Sequence, residues 1–256
     1  MDTMNKRVIM QKNETEITLE LAHSVVPDIY LLFASAADGG RSPLFTTHVK
    51  PKRTVLHFYL AAPKGERMRR LRVKERRCGE LGFSLQSKRV LWEEDLLISR
   101  EEITEIADMP LPDVGRLLAD GPPIISSFIK NQHRMRLTSG AGSLKASLDQ
   151  VIPFRADTQQ ISMSSFWHLE LEERSGWSLH EFIRSSFFED NLAALQPVRE
   201  SKWKTSAFSA PAHVRIAPPE YLRQRFKTLL ASGATADPLL EPRGASRTRP
   251  HGPRVR

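Results

Sequence analysis

Two pairs of glutamates and several clusters of arginine and lysine carry the chemical potential of this 256-residue chain. Glu14 and Glu16 stand two residues apart near the start, and Glu170 and Glu172 repeat that spacing far along the chain. On a strand, residues two apart leave the same face, so each pair presents its two carboxylates together. Carboxylates are hard oxygen ligands suited to Mg²⁺ or Mn²⁺. The basic clusters are Arg70/Arg72/Lys74, Arg134/Arg136 and Lys202/Lys204. Arginine and lysine recognise phosphate oxygens. A surface on which both sets meet has what a metal–polyphosphate complex requires.

The elements that must position these groups read as short strands of period two. Ile17, Leu19 and Leu21 alternate with Glu14, Glu16, Thr18 and Glu20; Leu71 and Val73 alternate with Arg70, Arg72, Lys74 and Arg76. The same pattern recurs over Leu81–Lys88, His133–Leu137, Leu144–Asp149 and Trp167–Glu172, and a seventh segment sets Trp203, Thr205 and Ala207 against Lys202, Lys204 and Ser206. Each strand therefore has one apolar and one charged face. In an ordinary sandwich the charged face is wetted. The mixture of signs from strand to strand offers another solution: a sheet closed with its polar side inward, lined by both charges and covered outside by helices. Ser99-Arg100-Glu101-Glu102 and Ser178-Leu179-His180-Glu181 read as capping boxes opening two helices. The second is expected to run to about Leu195, where Pro197 stops it. A further helix is expected over Pro27–Ser35.

In the order of its parts the chain resembles the CYTH, or triphosphate tunnel metalloenzyme, family over roughly Lys12 to Phe208. Glu14-Thr15-Glu16 resembles the opening Glu-x-Glu strand, and Leu71-Arg72-Val73-Lys74 the basic strand that follows. Arg134-Met135-Arg136 resembles the second basic strand, and Leu148-Asp149 the end of the next. Glu170-Leu171-Glu172 running into Ser175-Gly176 resembles the second acidic strand, and Pro197 to Ser201-Lys202 the closing signature. The sequence departs from the pattern at Thr18 and Gln86, where lysines are expected, and at Leu60 and Lys145, where acids are expected. These departures imply a diverged substrate or a lapsed enzyme.

The resemblance implies an α+β fold made of one antiparallel β-barrel with a charged interior and a few covering helices. It implies Glu14, Glu16, Glu170 and Glu172 as metal ligands for Mg²⁺ or Mn²⁺, with Asp149 alongside. It also implies Arg72, Lys74, Arg134, Arg136 and Lys202 as phosphate clamps. The expected activity is metal-dependent hydrolysis of a triphosphate-containing small molecule: inorganic triphosphate, thiamine triphosphate, or a nucleoside or RNA triphosphate. The alternative is a non-catalytic barrel that binds polyanions or nucleic acid. Glu16, Arg72, Arg134, Glu170 and Lys202 are expected to point inward.

Composition sets the surroundings. Hydrophobic residues make up 40% and charged residues 27%, which fits a globular protein, and no apolar run reaches the ~18 residues that would span a bilayer. No secretory leader is evident, and Cys78 is the one cysteine, so no internal disulfide can form; a cytoplasmic protein without a membrane partner is expected. The net charge of +8 favours polyanionic partners. The histidines lack metal-ligand spacing, and there is neither a Walker lysine pattern nor a nucleophile elbow. Gly79-Glu80-Leu81-Gly82 reads as a turn, and Trp92, Trp167, Trp177 and Trp203 read as core. The expected organisation is a tunnel domain over residues 1–210, a short helical extension over 211–230, and a disordered basic tail over 231–256 with five arginines against Asp237 and Glu241.

Overall fold

A computed structural model of the chain describes residues 9–35, 44–62, 67–94, 98–198, 202–212 and 219–236. Ten strands form one antiparallel sheet: β1 (Ile9–Leu21), β2 (Thr46–Val49), β3 (Arg53–Leu60), β4 (Arg69–Glu75), β5 (Leu81–Glu94), β6 (Ile98–Ile106), β7 (Ile124–Ser139), β8 (Gly142–Pro153), β9 (Phe166–Ser175) and β10 (Ala207–Ala212). Eight of them close on themselves in the order β7-β3-β4-β5-β6-β1-β9-β8, with β8 returning to β7. The remaining strands, β2 and β10, extend the ladders of β7 beyond the ends of its barrel neighbours. Closure leaves the barrel no open edge.

The apolar core lies outside the barrel wall. On one side, Ile17, Leu19 and Leu21 of β1 join Leu144 and Leu148 of β8 and Leu169 and Leu171 of β9 beneath α1 (Val26–Ala34), α3 (Leu179–Ile183) and α4 (Ser186–Asn191). The opposite side packs Leu56, Phe58 and Leu60 of β3 and Leu71 and Val73 of β4 under α2 (Leu111–Asp120) and α6 (Pro219–Thr235). Because side chains alternate across a strand, burying these residues outward forces Glu16, His57, Arg72 and Glu170 inward. One end of the interior is filled by a small apolar floor of Tyr59, Phe128 and Val151 with Phe166 against them. Among the described residues, no helix is long and apolar enough to cross a membrane.

Several local expectations need correcting. Ser99–Glu102 does not open a helix; it lies in β6, where Ser99 pairs with Glu16 and Glu101 with Glu14. Ile98, Ile103 and Ile106 suit a pleated, half-buried surface, and pairing on both sides overrides the capping signal. Lys202–Thr205 forms a short helix, α5, rather than a strand. The strand begins only at Ala207, where β10 joins the ladder of β7. The segment after Ser178 breaks into α3 and α4, with the Ser185 hydroxyl capping the second.

Helix α6 continues past Leu230 to Thr235, inside the stretch expected to be a disordered tail. Asn131 Nδ2 donates to the Gly233 carbonyl at 2.7 Å, and Lys52 Nζ to that of Ala234 at 3.1 Å. A Cβ at position 233 would lie 2.3 Å from Ile129 Cγ2, so only glycine lets the helix approach this closely. Residues 237–256 of the expected tail lie outside the described residues.

Candidate functional site

The barrel encloses a polar lumen of about 220 Å³. Lysines and arginines among its lining residues outnumber glutamates nine to four, so the lining carries net positive charge. Glu14 and Glu16 enter from β1, Arg70 and Arg72 from β4, Lys88 from β5, Lys130 and Arg134 from β7, Lys145 from β8, and Glu170 and Glu172 from β9.

The acids divide into two groups. The first is already neutralised by protein cations. Asp149 is fully buried and accepts from Lys130 Nζ at 2.6 Å and Lys202 Nζ at 3.0 Å. Glu170 faces Lys130 at 3.3 Å and is also bonded by Lys202. Burial would raise the Glu170 pKa, but Lys130, Lys202 and Lys145 outweigh it and hold the carboxyl well below its usual range. Glu172 accepts from Lys145 Nζ at 2.6 Å and from Arg174 at 3.0 Å.

The second group is short of cations. Carboxylate oxygens of Glu14, Glu16 and Glu101 lie within 4.8 Å of one another. Burial pushes Glu16 up to about 7; Lys88 at 3.9 Å opposes this, while Glu101, Glu170 and Glu14 add to it. Glu14 is brought down to about 2, because its bond from Lys12 and the field of Lys88 overcome burial. Lys88 also bonds Glu101. This trio fits a hard divalent cation: three carboxylate donors converge, and one of them is costly to ionise without added positive charge.

Opposite lies a cluster of cations around Arg70 and Arg72. Burial and the neighbouring Arg70 lower Arg72 to about 10. Arg70 donates to the Tyr59 hydroxyl at 3.1 Å. His57 is buried, stacks on Phe128 with centroids 4.8 Å apart, and has no hydrogen-bond partner on either ring nitrogen. Burial and the cations Arg70, Arg72, Lys130 and Lys202 drive its pKa well below the usual histidine range. It is therefore a neutral imidazole facing a cationic lumen with its polar atoms unspent.

Of the residues singled out in the sequence, Glu14, Glu16, Arg72, Arg134, Glu170 and Glu172 line the lumen. The Lys202 and Asp149 side chains meet inside it. Lys74 lies at the rim instead, and Arg136 is exposed and donates to Ser143 Oγ at 3.2 Å. Among the departures, Gln86 and Lys145 line the lumen, but Leu60 is buried in the outer core under α6 and takes no part in it. Sequence reasoning missed Arg53, His57, Lys88, Glu101 and Lys130 as site residues. Arg70 was legible, since it shares the alternation of Arg72. Lys130 was not, because it is a single charge directly after the uncharged run Ile124–Ile129.

No family model matches the chain, and no curated protein does. Solved structures that match include three archaeal proteins. The PH1819 protein of Pyrococcus horikoshii OT3 is 14% identical, with a TM-score of 0.44, over 84% of this chain and 99% of that one. The PH1012 protein of the same organism is 11% identical, with a TM-score of 0.39, over 64% and 80%. A conserved hypothetical protein of Pyrococcus furiosus is 13% identical, with a TM-score of 0.38, over 69% and 87%.

Proposed function

We propose that the lumen binds a triphosphate group together with a divalent cation and hydrolyses its terminal phosphoanhydride bond, as members of the triphosphate tunnel family do. The observation that carries this reading is the division of the lumen: a converging carboxylate trio on one wall and an arginine-rich cradle on the other. Mg²⁺ or Mn²⁺ would be held by Glu14, Glu16 and Glu101, and when bound it would neutralise charge on the phosphate chain. Arg70, Arg72, Lys130 and Arg134 supply positive charge to the remaining oxygens. Neutral His57 can donate one N–H to a phosphate oxygen without adding charge. In the reaction a water oxygen bonds the terminal phosphorus as the anhydride P–O bond breaks, the bridging oxygen leaves on the remaining phosphate chain, and the proton that the water loses is released to solvent. The chain contributes position and field to that displacement rather than a covalent nucleophile.

A second reading, binding without turnover, draws on the ion pairs of Asp149, Glu170 and Glu172. Lysines already occupy these acids, and Lys145 is one of the departures from the family pattern. Phosphate release from inorganic triphosphate, thiamine triphosphate and ATP, each with Mg²⁺ and with Mn²⁺, tests the proposal. Metal-dependent release is expected. Tight binding without release would favour the second reading, and neither binding nor release would refute both.

A further inference from the structure

We infer that a second anion site lies outside the lumen, in a groove at the barrel rim, and that it binds the phosphodiester backbone of single-stranded nucleic acid. The groove, of about 980 Å³, runs between α6 and the turns that join β2 to β3 and β4 to β5. Eight lysines and arginines line it against one carboxylate, Glu75. Six come from the two turns and the strand ends beside them, Lys227 from α6, and Arg134, which like Arg53 also lines the lumen, from β7. Lys50 and Arg53 flank the first turn, Lys74 and Arg77 flank the second, and Lys227 projects from α6.

These cations crowd one another. Lys74 is lowered by burial, then by Arg53 and Arg72 beside it, with Glu105 giving partial relief. Arg53 is lowered in the same way by burial and by Arg134. A wall of like charge that the protein leaves largely uncompensated is stabilised by a bound polyanion. Three of the cations are used internally: Lys52 donates to the Ala234 carbonyl, Arg134 to that of Pro51, and Arg76 pairs with Asp108. Lys50, Arg77 and Lys227 are exposed, and they come from three different sides of the groove.

The shape and the floor select the partner. The groove is concave and walled by a helix on one side, which suits one extended chain and not a duplex cylinder. Its floor is an apolar strip of Pro51, Leu230, Ala231 and Ala234. Sugars can lie on that strip while phosphates meet the rim. Among the described residues no aromatic side chain lines the groove, so they offer bases no stacking platform there. Binding should therefore be steep in salt and indifferent to sequence. Arginine forks fit phosphate and carboxylate oxygens alike, so it is the apolar strip, on which sugars can lie, that sets nucleic acid ahead of an acidic peptide.

The test is fluorescence anisotropy with labelled twelve-nucleotide single strands, oligo-U RNA and oligo-T DNA, carrying 5′-hydroxyl ends. No triphosphate is present, so the result is independent of what the lumen does. The full chain should bind both strands, with log affinity falling against log salt at a slope of about −3, as four or five phosphates would give. The variant Lys50→Glu/Arg77→Glu/Lys227→Glu should bind at least tenfold more weakly, with a slope shallower by about 2 for three lost contacts. It should melt like the wild type, because all three side chains are exposed. If it does not fold, Lys50→Gln and Lys227→Gln, each alone, should still weaken binding. Glu101→Gln in the lumen should leave it unchanged. Failure of the wild type to bind, equal binding of a duplex or of polyglutamate, or undiminished binding by the rim variants overturns the inference.

Discussion

Replacing Glu16 by glutamine should stabilise the protein at about pH 8, and replacing Glu170 by glutamine should destabilise it, although both remove one lumen carboxylate. The two acids meet opposite fields. Glu170 is held by Lys130 and Lys202, and its carboxyl lies well below the usual range. Removing its charge leaves two buried ammonium groups to share Asp149, and breaking a buried pair in this way costs about 3–5 kcal/mol. Glu16 is raised from 4.5 to about 7 by burial and by Glu101, Glu170 and Glu14, against the pull of Lys88. A shift of that size corresponds to roughly 3 kcal/mol of strain when the group is ionised. Lys88 keeps Glu101 as a partner in the variant, so little is lost with the Glu16 contact.

The pH dependence has opposite signs for the two groups. A carboxyl whose folded pKa is raised costs stability progressively as pH climbs from about 4.5 to about 7, and the loss is constant above that. A carboxyl whose folded pKa is lowered contributes stability above its unfolded value and loses it progressively as pH falls from that value through the folded one. Metal-free wild type should therefore lose stability between about pH 4.5 and 7, and Glu16→Gln should lose less. Glu170→Gln should be destabilised by a constant amount from about pH 5 upward. For a chain of this size the Glu16 change corresponds to about 6–12 °C in melting temperature. Thermal melts of the three proteins in EDTA, across that pH range, provide the measurement. Destabilisation by Glu16→Gln at about pH 8, or stabilisation by Glu170→Gln, would refute the division of the lumen into neutralised and unneutralised acids.

Other consequences follow from particular contacts. Gly233→Ala should destabilise by about 1–3 kcal/mol in urea unfolding, because its Cβ would enter the contact with Ile129. Truncation after Leu230 should lower the melting temperature more than truncation after Ala236, since only the first removes the carbonyls that Asn131, Lys52 and Gln150 bond. His57→Phe should stabilise by about 1 kcal/mol in urea, because it removes an unpartnered buried polar group while keeping the stack on Phe128. The same variant should weaken triphosphate binding about tenfold, read by calorimetry.

The sequence is legible where a strand separates an apolar outer core from a charged lumen. β1, β4, β8 and β9 each do so, and their alternation announces both the element and the inward carboxylates or cations. It fails where both faces are buried. On β3, Leu56, Phe58 and Leu60 pack outward while His57 and Tyr59 fill the interior, so no alternation survives to mark His57. β7 hides Lys130 in the same way. It fails again where a local signal competes with pairing: Ser99 and Glu102 spell a helix cap, and ladders to β1 and β5 win. That misreading concealed Glu101, the third member of the acidic trio. Lys202 shows the reverse case, in which the element is a helix rather than a strand and the side chain still reaches Asp149 and Glu170.

In the proposed function a triphosphate and a divalent cation share the lumen, with the cation against Glu14, Glu16 and Glu101. Calorimetric titration of inorganic triphosphate, with and without Mn²⁺, into wild type and Glu101→Gln tests this most directly. Wild type should bind one equivalent more tightly with Mn²⁺ than without it, and Glu101→Gln should lose that gain while keeping the metal-free affinity. An affinity indifferent to Mn²⁺, or a gain from Mn²⁺ that survives in Glu101→Gln, would contradict it.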